Sequence, residues 1–183
     1  MEDKSLNQNY RWYAYFTDSR AEKKVFSELI RKGIKSYLPL KIVKRQWSDR
    51  VKNVECPLIS GYIFVLVSSH EFYDVLLTPG VRRYVCFDGK PAPIPEKQIE
   101  DLKCFLQYLN SEAEVTNERI TKGQLVRIVS GPLAGIDGEV VEIRGKRCIL
   151  LRFSNLGFSV HAELGNENIE ILSPSSTTVL ISE

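Results

Sequence analysis

Histidine is scarce in this chain, cysteine is scattered, and no long apolar run occurs. The 183 residues hold two histidines, His70 and His161, in no metal-ligand or nucleophile motif, so neither zinc-type nor Ser/Cys–His catalysis finds its base in place. The chain is therefore expected not to be an enzyme and to need no cofactor or metal. The four cysteines, Cys56, Cys86, Cys104 and Cys148, form no C-x-x-C pair and read as reduced, mostly buried thiols. No stretch approaches the roughly 18 to 20 apolar residues that cross a bilayer. The polar start "MEDKSLNQNYRW" lacks the apolar core of a signal peptide, so a cytoplasmic protein with no membrane association is expected, and a monomer.

What is present is unevenly distributed. Net charge is only +2, yet residues 1 to 60 carry 13 Lys/Arg against 7 Asp/Glu, residues 61 to 118 carry 5 against 9, and residues 119 to 183 carry 7 against 7. The basic excess thus belongs to the first third. With 43% hydrophobic residues, the chain can build one large domain or two small ones with separate cores.

Residues 10 to 110 alternate strand and helix patterns. "RWYAYFT" is strand-like. In the helix that follows, Ser19 and Glu22 have capping-box spacing, Ala21, Val25, Phe26, Leu29 and Ile30 form an apolar stripe, and Gly33 suits the C-terminus. "SYLPLKIV" reads as a strand that Pro39 restricts to an edge, and "LISGYIFVLV" as a buried central strand. "SSHEFYDVLL" suggests a short helix, "VRRYVCF" a strand, and "EKQIEDLKCFLQYL" a helix with Ile99, Leu102, Leu106 and Leu109 at helical spacing. These elements predict a sheet covered by helices. Residues 1 to 9 are expected to be flexible and the polar stretch 111 to 119 to be a linker. The short runs "QLVRIV", "GEVVEI", "RCILLRF", "FSVHAEL" and "NIEIL" predict a small all-β barrel over residues 120 to 172, followed by a disordered tail, 173 to 183.

The glycines of "SGPLAGIDGEV", Gly131, Gly135 and Gly138, resemble neither phosphate-binding pattern. No lysine follows Gly138, the next residues are strand-forming, and the spacing is not G-x-G-x-x-G. They are expected to reverse the chain between two strands with positive φ and close backbone approach.

"KGQLVRIVSGPLAGIDGEVVEI" (122 to 143) resembles the KOW motif of small SH3-like barrels in transcription elongation and ribosomal proteins. "RWYAYFT" with its helix, "CPLISGYIFVLV" and "PGVRRYVCFDGKPAPIPEKQIEDL" (79 to 102) resemble, in family order, the N-terminal domain of the NusG family. The resemblance implies an α+β fold: an N-terminal α/β sandwich with a mainly antiparallel sheet, then the KOW barrel. Ile59 and Ser60 stand where the family usually has Phe and Pro, which suggests a specialised paralogue resembling the UpxY and RfaH groups.

The resemblance further implies binding to the clamp helices of RNA polymerase through a hydrophobic face. The matching positions are Tyr13 or Phe16 on the first strand and Ile59, Tyr62 and Phe64 on or beside the signature strand. Alternation puts 12, 14 and 16 on one face and 13 and 15 on the other, while 62 and 64 share a face that excludes 63. Eight Lys/Arg between Arg31 and Lys52, against the single Asp49, form a basic stretch that is either a solvated loop or, as the family implies, faces upstream or non-template DNA. Within it Lys44, Arg45, Arg50 and Lys52 suit phosphates and Trp47 suits stacking on an exposed base. Arg20, Lys23 and Lys24 form a second candidate nucleic-acid contact. For the KOW half the family implies docking of a ribosomal protein or a termination factor, with Leu133, Ile136 and Phe158 beside the glycine loop as the candidate surface and Phe153 either part of it or, the favoured reading, barrel core. The alternatives are a general NusG elongation factor and a ribosome-associated RNA-binding KOW protein.

Overall fold

The computed structural model describes residues 9–47, 50–109, 113–116, 122–163 and 169–172. The expected tail, residues 1–8, Asp49 and most of the expected linker lie outside them.

In chain order the elements are β1 (Arg11–Thr17), α1 (Glu22–Arg31), β2 (Ser36–Tyr37), β3 (Leu40–Gln46), β4 (Val51–Pro57), β5 (Tyr62–Val67), α2 (Phe72–Leu76), β6 (Val81–Tyr84), β7 (Cys86–Phe87), β8 (Lys90–Pro91), β9 (Pro93–Ile94) and α3 (Glu96–Leu109). The second half adds β10 (Glu114–Thr116), β11 (Gln124–Ile128), β12 (Asp137–Ile143), β13 (Lys146–Phe153), β14 (Phe158–Glu163) and β15 (Ile169–Ile171). The first sheet runs β2-β5-β1-β6, with β9 also on β1; the second runs β10-β14-β13-β12-β11-β15. Every pairing in both is antiparallel. Among the described residues the second sheet is an open six-stranded path rather than the closed barrel expected. It also begins earlier than expected, because β10 lies inside the stretch read as a linker and pairs with β14.

Period-two alternation sorts the first sheet's side chains into two layers. Tyr13, Tyr15, Ile63, Val65 and Val67 pack under α1 and α2 with Val25, Leu29 and Val75. Trp12, Ala14, Phe16, Tyr62 and Phe64 face α3, where Ile99, Leu102, Phe105 and Leu106 are buried. The second layer is not closed by α3 alone. It continues without a break into Ile128, Leu133, Ile136, Phe153, Phe158 and Val160 of the C-terminal half, so this core spans both halves, while the layer under α1 and α2 belongs to the first half alone.

Four local expectations need correction. Ser19 does not cap α1: Arg20 takes a left-handed φ of 63°, the N-cap is Ala21, and no side chain caps it. Glu22 is therefore the first helical residue, too early to reach back as a capping box requires. Pro39, which has no N–H to offer a ladder, divides the expected strand. Before it β2 joins β5, and after it β3 leaves the sheet to pair with β4. "VRRYVCF" is interrupted at Val85, after which β7 turns into a two-stranded hairpin with β8. The cysteines are not mostly buried, for only Cys148 is. Cys86 is exposed because the small β7–β8 hairpin stands off the main sheet, and Cys56 and Cys104 are half-buried.

Candidate functional site

The antiparallel register of β1 against β5 sets Phe16 opposite Tyr62, and their rings lie 4.7 Å apart at 50°. Phe64, two residues on, stacks on Tyr37 at 6.3 Å. Ile59 is buried in the same layer, just before the turn at Gly61. That turn is held from two sides: the buried Glu22 carboxylate accepts the Gly61 N–H at 2.7 Å, and the Gly61 carbonyl accepts Thr17 N–H at 2.9 Å. Gly61 has φ 79°, which a side chain would resist. The structure thus gathers Phe16, Ile59, Tyr62 and Phe64 on one face. Tyr13 is parted from them by the sheet and packs edge-on against Phe72 of α2, 4.7 Å away.

This aromatic face is covered. Tyr62 meets Phe158 at 5.6 Å and Phe64 meets Phe153 at 6.2 Å. Burial raises the Tyr62 phenol above its ordinary value, with the nearby Arg83 charge opposing. Polar contacts from α3 complete the junction. Gln98 Nε2 donates to the Arg152 carbonyl at 2.7 Å, and Lys97 Nζ donates to the Gly135 carbonyl at 3.1 Å and to Asp101 at 2.8 Å. Burial raises the carboxyl of Asp101, whereas the hydrogen-bonded Arg127 guanidinium lowers that of Asp137.

The glycine loop divides its labour. Gly131 and Gly135 take φ of 83° and 90° and reverse the chain, with Gly135 N–H donating to the Ile128 carbonyl at 2.7 Å. Gly138 lies within β12 opposite Val126, and a Cβ there would come 2.7 Å from Ile149 Cδ1. Leu133 and Ile136, at 2% and 1% exposure, are core rather than a free loop surface, as are Phe153 and Phe158.

Of the basic stretch, Lys41, Lys44, Arg45 and Lys52 lie on the β3–β4 hairpin, which is separate from the main sheet, and Arg50 is beside its tip, whereas Arg31 and Lys32 end α1 and Lys35 precedes β2. The hairpin's register pairs Arg45 with Lys52 on one face and Lys44 with Asn53 on the other. Trp47 donates its N–H to the Arg50 carbonyl at 2.8 Å near the tip and is 52% exposed. Lys23 of α1 forms an ion pair of 3.8 Å with Glu55 of the hairpin, which ties the two basic groups together, while Arg20 and Lys24 are exposed beside it. No group of three or more His, Cys, Asp or Glu placed to hold a metal occurs among the described residues, and no helix among them is long and apolar enough to cross a membrane.

Arg83 was missed by sequence reasoning. It is the neighbour of Phe16 on the side away from Tyr62, with its guanidinium carbon 4.8 Å from the Phe16 ring centroid. Only the register of β6 distinguishes it from other surface arginines.

A helix-covered antiparallel sheet thus packs through an aromatic layer on a second antiparallel sheet, which carries the glycine loop between β11 and β12. The family model described as transcription termination factor NusG matches residues 10–103, and the chain belongs to the NusG family. It is 25% identical over 154 residues to the transcription termination/antitermination protein NusG of Streptococcus pyogenes, covering 76% of this chain and 84% of that protein. The protein of the same name from Staphylococcus epidermidis is 27% identical over 151 residues, covering 75% and 81%. A solved structure concerning domain interaction in Thermotoga maritima NusG aligns at 23% identity with a TM-score of 0.46, covering 90% of this chain and 98% of that one.

Proposed function

We propose that this chain is a transcription elongation and antitermination factor that binds RNA polymerase through the face formed by Phe16, Ile59, Tyr62 and Phe64. The observation that carries the reading is the cross-strand Phe16–Tyr62 pair, at 4.7 Å, on β1 and β5 within the stretch that the NusG family model matches. Tyrosine and phenylalanine supply large contact area at small entropic cost, which favours them at interfaces. The clamp helices are the expected contact. Tyr13, on the opposite layer, supports the face from below.

In the arrangement described, Phe153 and Phe158 occupy the place the polymerase would take, so engagement requires the C-terminal half to move away. We read that half as an SH3-like KOW fold. Once released, Leu133, Ile136, Phe153 and Phe158 beside the glycine loop would be open to a second partner, a ribosomal protein or termination factor. The β3–β4 hairpin, with Lys44, Arg45, Trp47, Arg50 and Lys52, is assigned to upstream or non-template DNA, and Arg20, Lys23 and Lys24 extend that surface. The cytoplasm is the compartment this role requires. Ile59 and Ser60, which depart from the family's usual Phe and Pro, support a specialised paralogue of the UpxY and RfaH kind serving long operons such as those for surface polysaccharides.

Affinity purification of the full chain tests the central point. Wild type should retain RNA polymerase and Tyr62→Ala, checked for an unchanged fold, should lose most of it. Equal recovery would overturn the assignment.

A further inference from the structure

Tyr62, Phe16 and Arg83 form one row across β5, β1 and β6. Phe16 and Tyr62 are half-buried beneath the C-terminal half, whereas Arg83 is exposed at the end of the row. Its sequence neighbour Arg82 is engaged by Asp18, Nε to Oδ1 2.5 Å, but Arg83 has no carboxylate partner among the described residues. Its guanidinium rests over the Phe16 ring, which restrains the side chain and leaves its planar set of N–H donors unspent. A restrained arginine loses less freedom when it binds a planar anion, and carboxylate is the planar anion that proteins present.

We propose that Arg83 is the charge-recognising residue of the aromatic face, holding a carboxylate of the protein that replaces Phe158 against Tyr62, beside Phe16. This rests on the polymerase-binding reading above and adds that the polymerase surface must present an acidic side chain beside its apolar contact. A protein carboxylate fits better than a nucleic-acid phosphate, because the neighbours of Arg83 on its face are aromatic. The cations suited to a phosphate backbone, Lys44, Arg45 and Lys52, lie on the separate hairpin, and those of α1 lie on the opposite side of the sheet. Since Arg83 stays exposed while the cover is in place, it is also available for first contact.

The test uses the full chain as wild type, Arg83→Gln, Arg83→Lys and Tyr62→Ala. Binding is measured to core RNA polymerase free of nucleic acid, at low and high salt, and in parallel to a DNA duplex with an unpaired bubble. Arg83→Gln should weaken polymerase binding about tenfold and flatten its salt dependence, Arg83→Lys should recover only part, and DNA binding should not change. Polymerase binding by Arg83→Gln equal to wild type, with Tyr62→Ala defective, overturns the role of Arg83 and leaves the aromatic face standing. Wild-type binding by Tyr62→Ala as well overturns the underlying reading. A loss confined to DNA makes the ligand a phosphate and overturns the carboxylate assignment.

Discussion

The ring of Tyr62 stands edge-on to the ring of Phe158, with centroids 5.6 Å apart at 70°. One belongs to a strand of the first sheet and the other to a strand of the second, so this aromatic contact joins the candidate polymerase face to the element that hides it. Phe158 in turn stacks on Phe153 at 5.1 Å, and Phe153 reaches Phe64. The aromatic side chains that would bind a partner are thus used to hold the chain's two halves together.

Gly135 and Gly138 of the 131–138 loop should respond differently to alanine. Gly138→Ala pushes a Cβ against Ile149 Cδ1 and should cost about 1–3 kcal/mol of stability by overpacking. Gly135→Ala meets no atom within 4 Å but is strained at φ 90°, and should cost about 1–2 kcal/mol. Adding Ile149→Val removes the clashing carbon, so in denaturant titrations it should recover part of the Gly138→Ala loss and none of the Gly135→Ala loss.

Glu22→Ala should destabilise the chain by about 0.5–1.5 kcal/mol, since it removes the hydrogen bond that holds the half-buried Gly61 N–H, while Ser19→Ala should leave stability nearly unchanged. Urea midpoints of the two variants distinguish a long-range hydrogen bond from a helix cap.

Glu139 should make stability depend on acid pH. Its carboxylate accepts two hydrogen bonds from Arg152, at 2.7 and 2.8 Å, and one from Gly123 N–H, at 3.0 Å; the Arg152 pair is the main reason it is held below the usual range. A carboxyl whose folded value is lowered stabilises fully above the unfolded value, about 4.3, and loses that contribution as pH falls through the lower folded value. The stability advantage of wild type over Glu139→Gln should therefore be constant from about pH 6 to pH 5 and shrink below about pH 4, as read from urea midpoints across that range.

The hairpin's cations should govern salt dependence rather than fold. Arg45→Gln with Lys52→Gln should leave thermal unfolding unchanged, since both side chains are exposed. The slope of log affinity for duplex DNA against log salt should flatten by about 0.9 for each phosphate that the variant no longer neutralises.

Much of this was legible from short-range pattern. The spacing of Ile99, Leu102 and Leu106 marked α3, and alternation parted Phe16 from Tyr13 along β1 and grouped Tyr62 with Phe64 along β5, while which of Tyr13 and Phe16 shares their face came only from the register of β1 on β5. Patterns that depend on partners distant in sequence were not legible. Glu22 looked like half of a capping box because its real partner, Gly61, comes from the following strand region. Pro39 marked a restricted strand but could not say that the chain would leave the sheet there. The covering of Tyr62 by Phe158 has no periodic signature, since each residue alone reads as ordinary core. Arg83 gains meaning only from its register beside Phe16.

On the polymerase-binding reading proposed above, RNA polymerase takes the place of Phe158 against Tyr62. Amide hydrogen exchange of the full chain, with and without saturating polymerase, tests it most directly. Saturating polymerase should leave β5 protected while the segment from Phe153 to Phe158 exchanges faster, being uncovered. Tight polymerase binding with unchanged exchange at Phe153–Phe158 would contradict it.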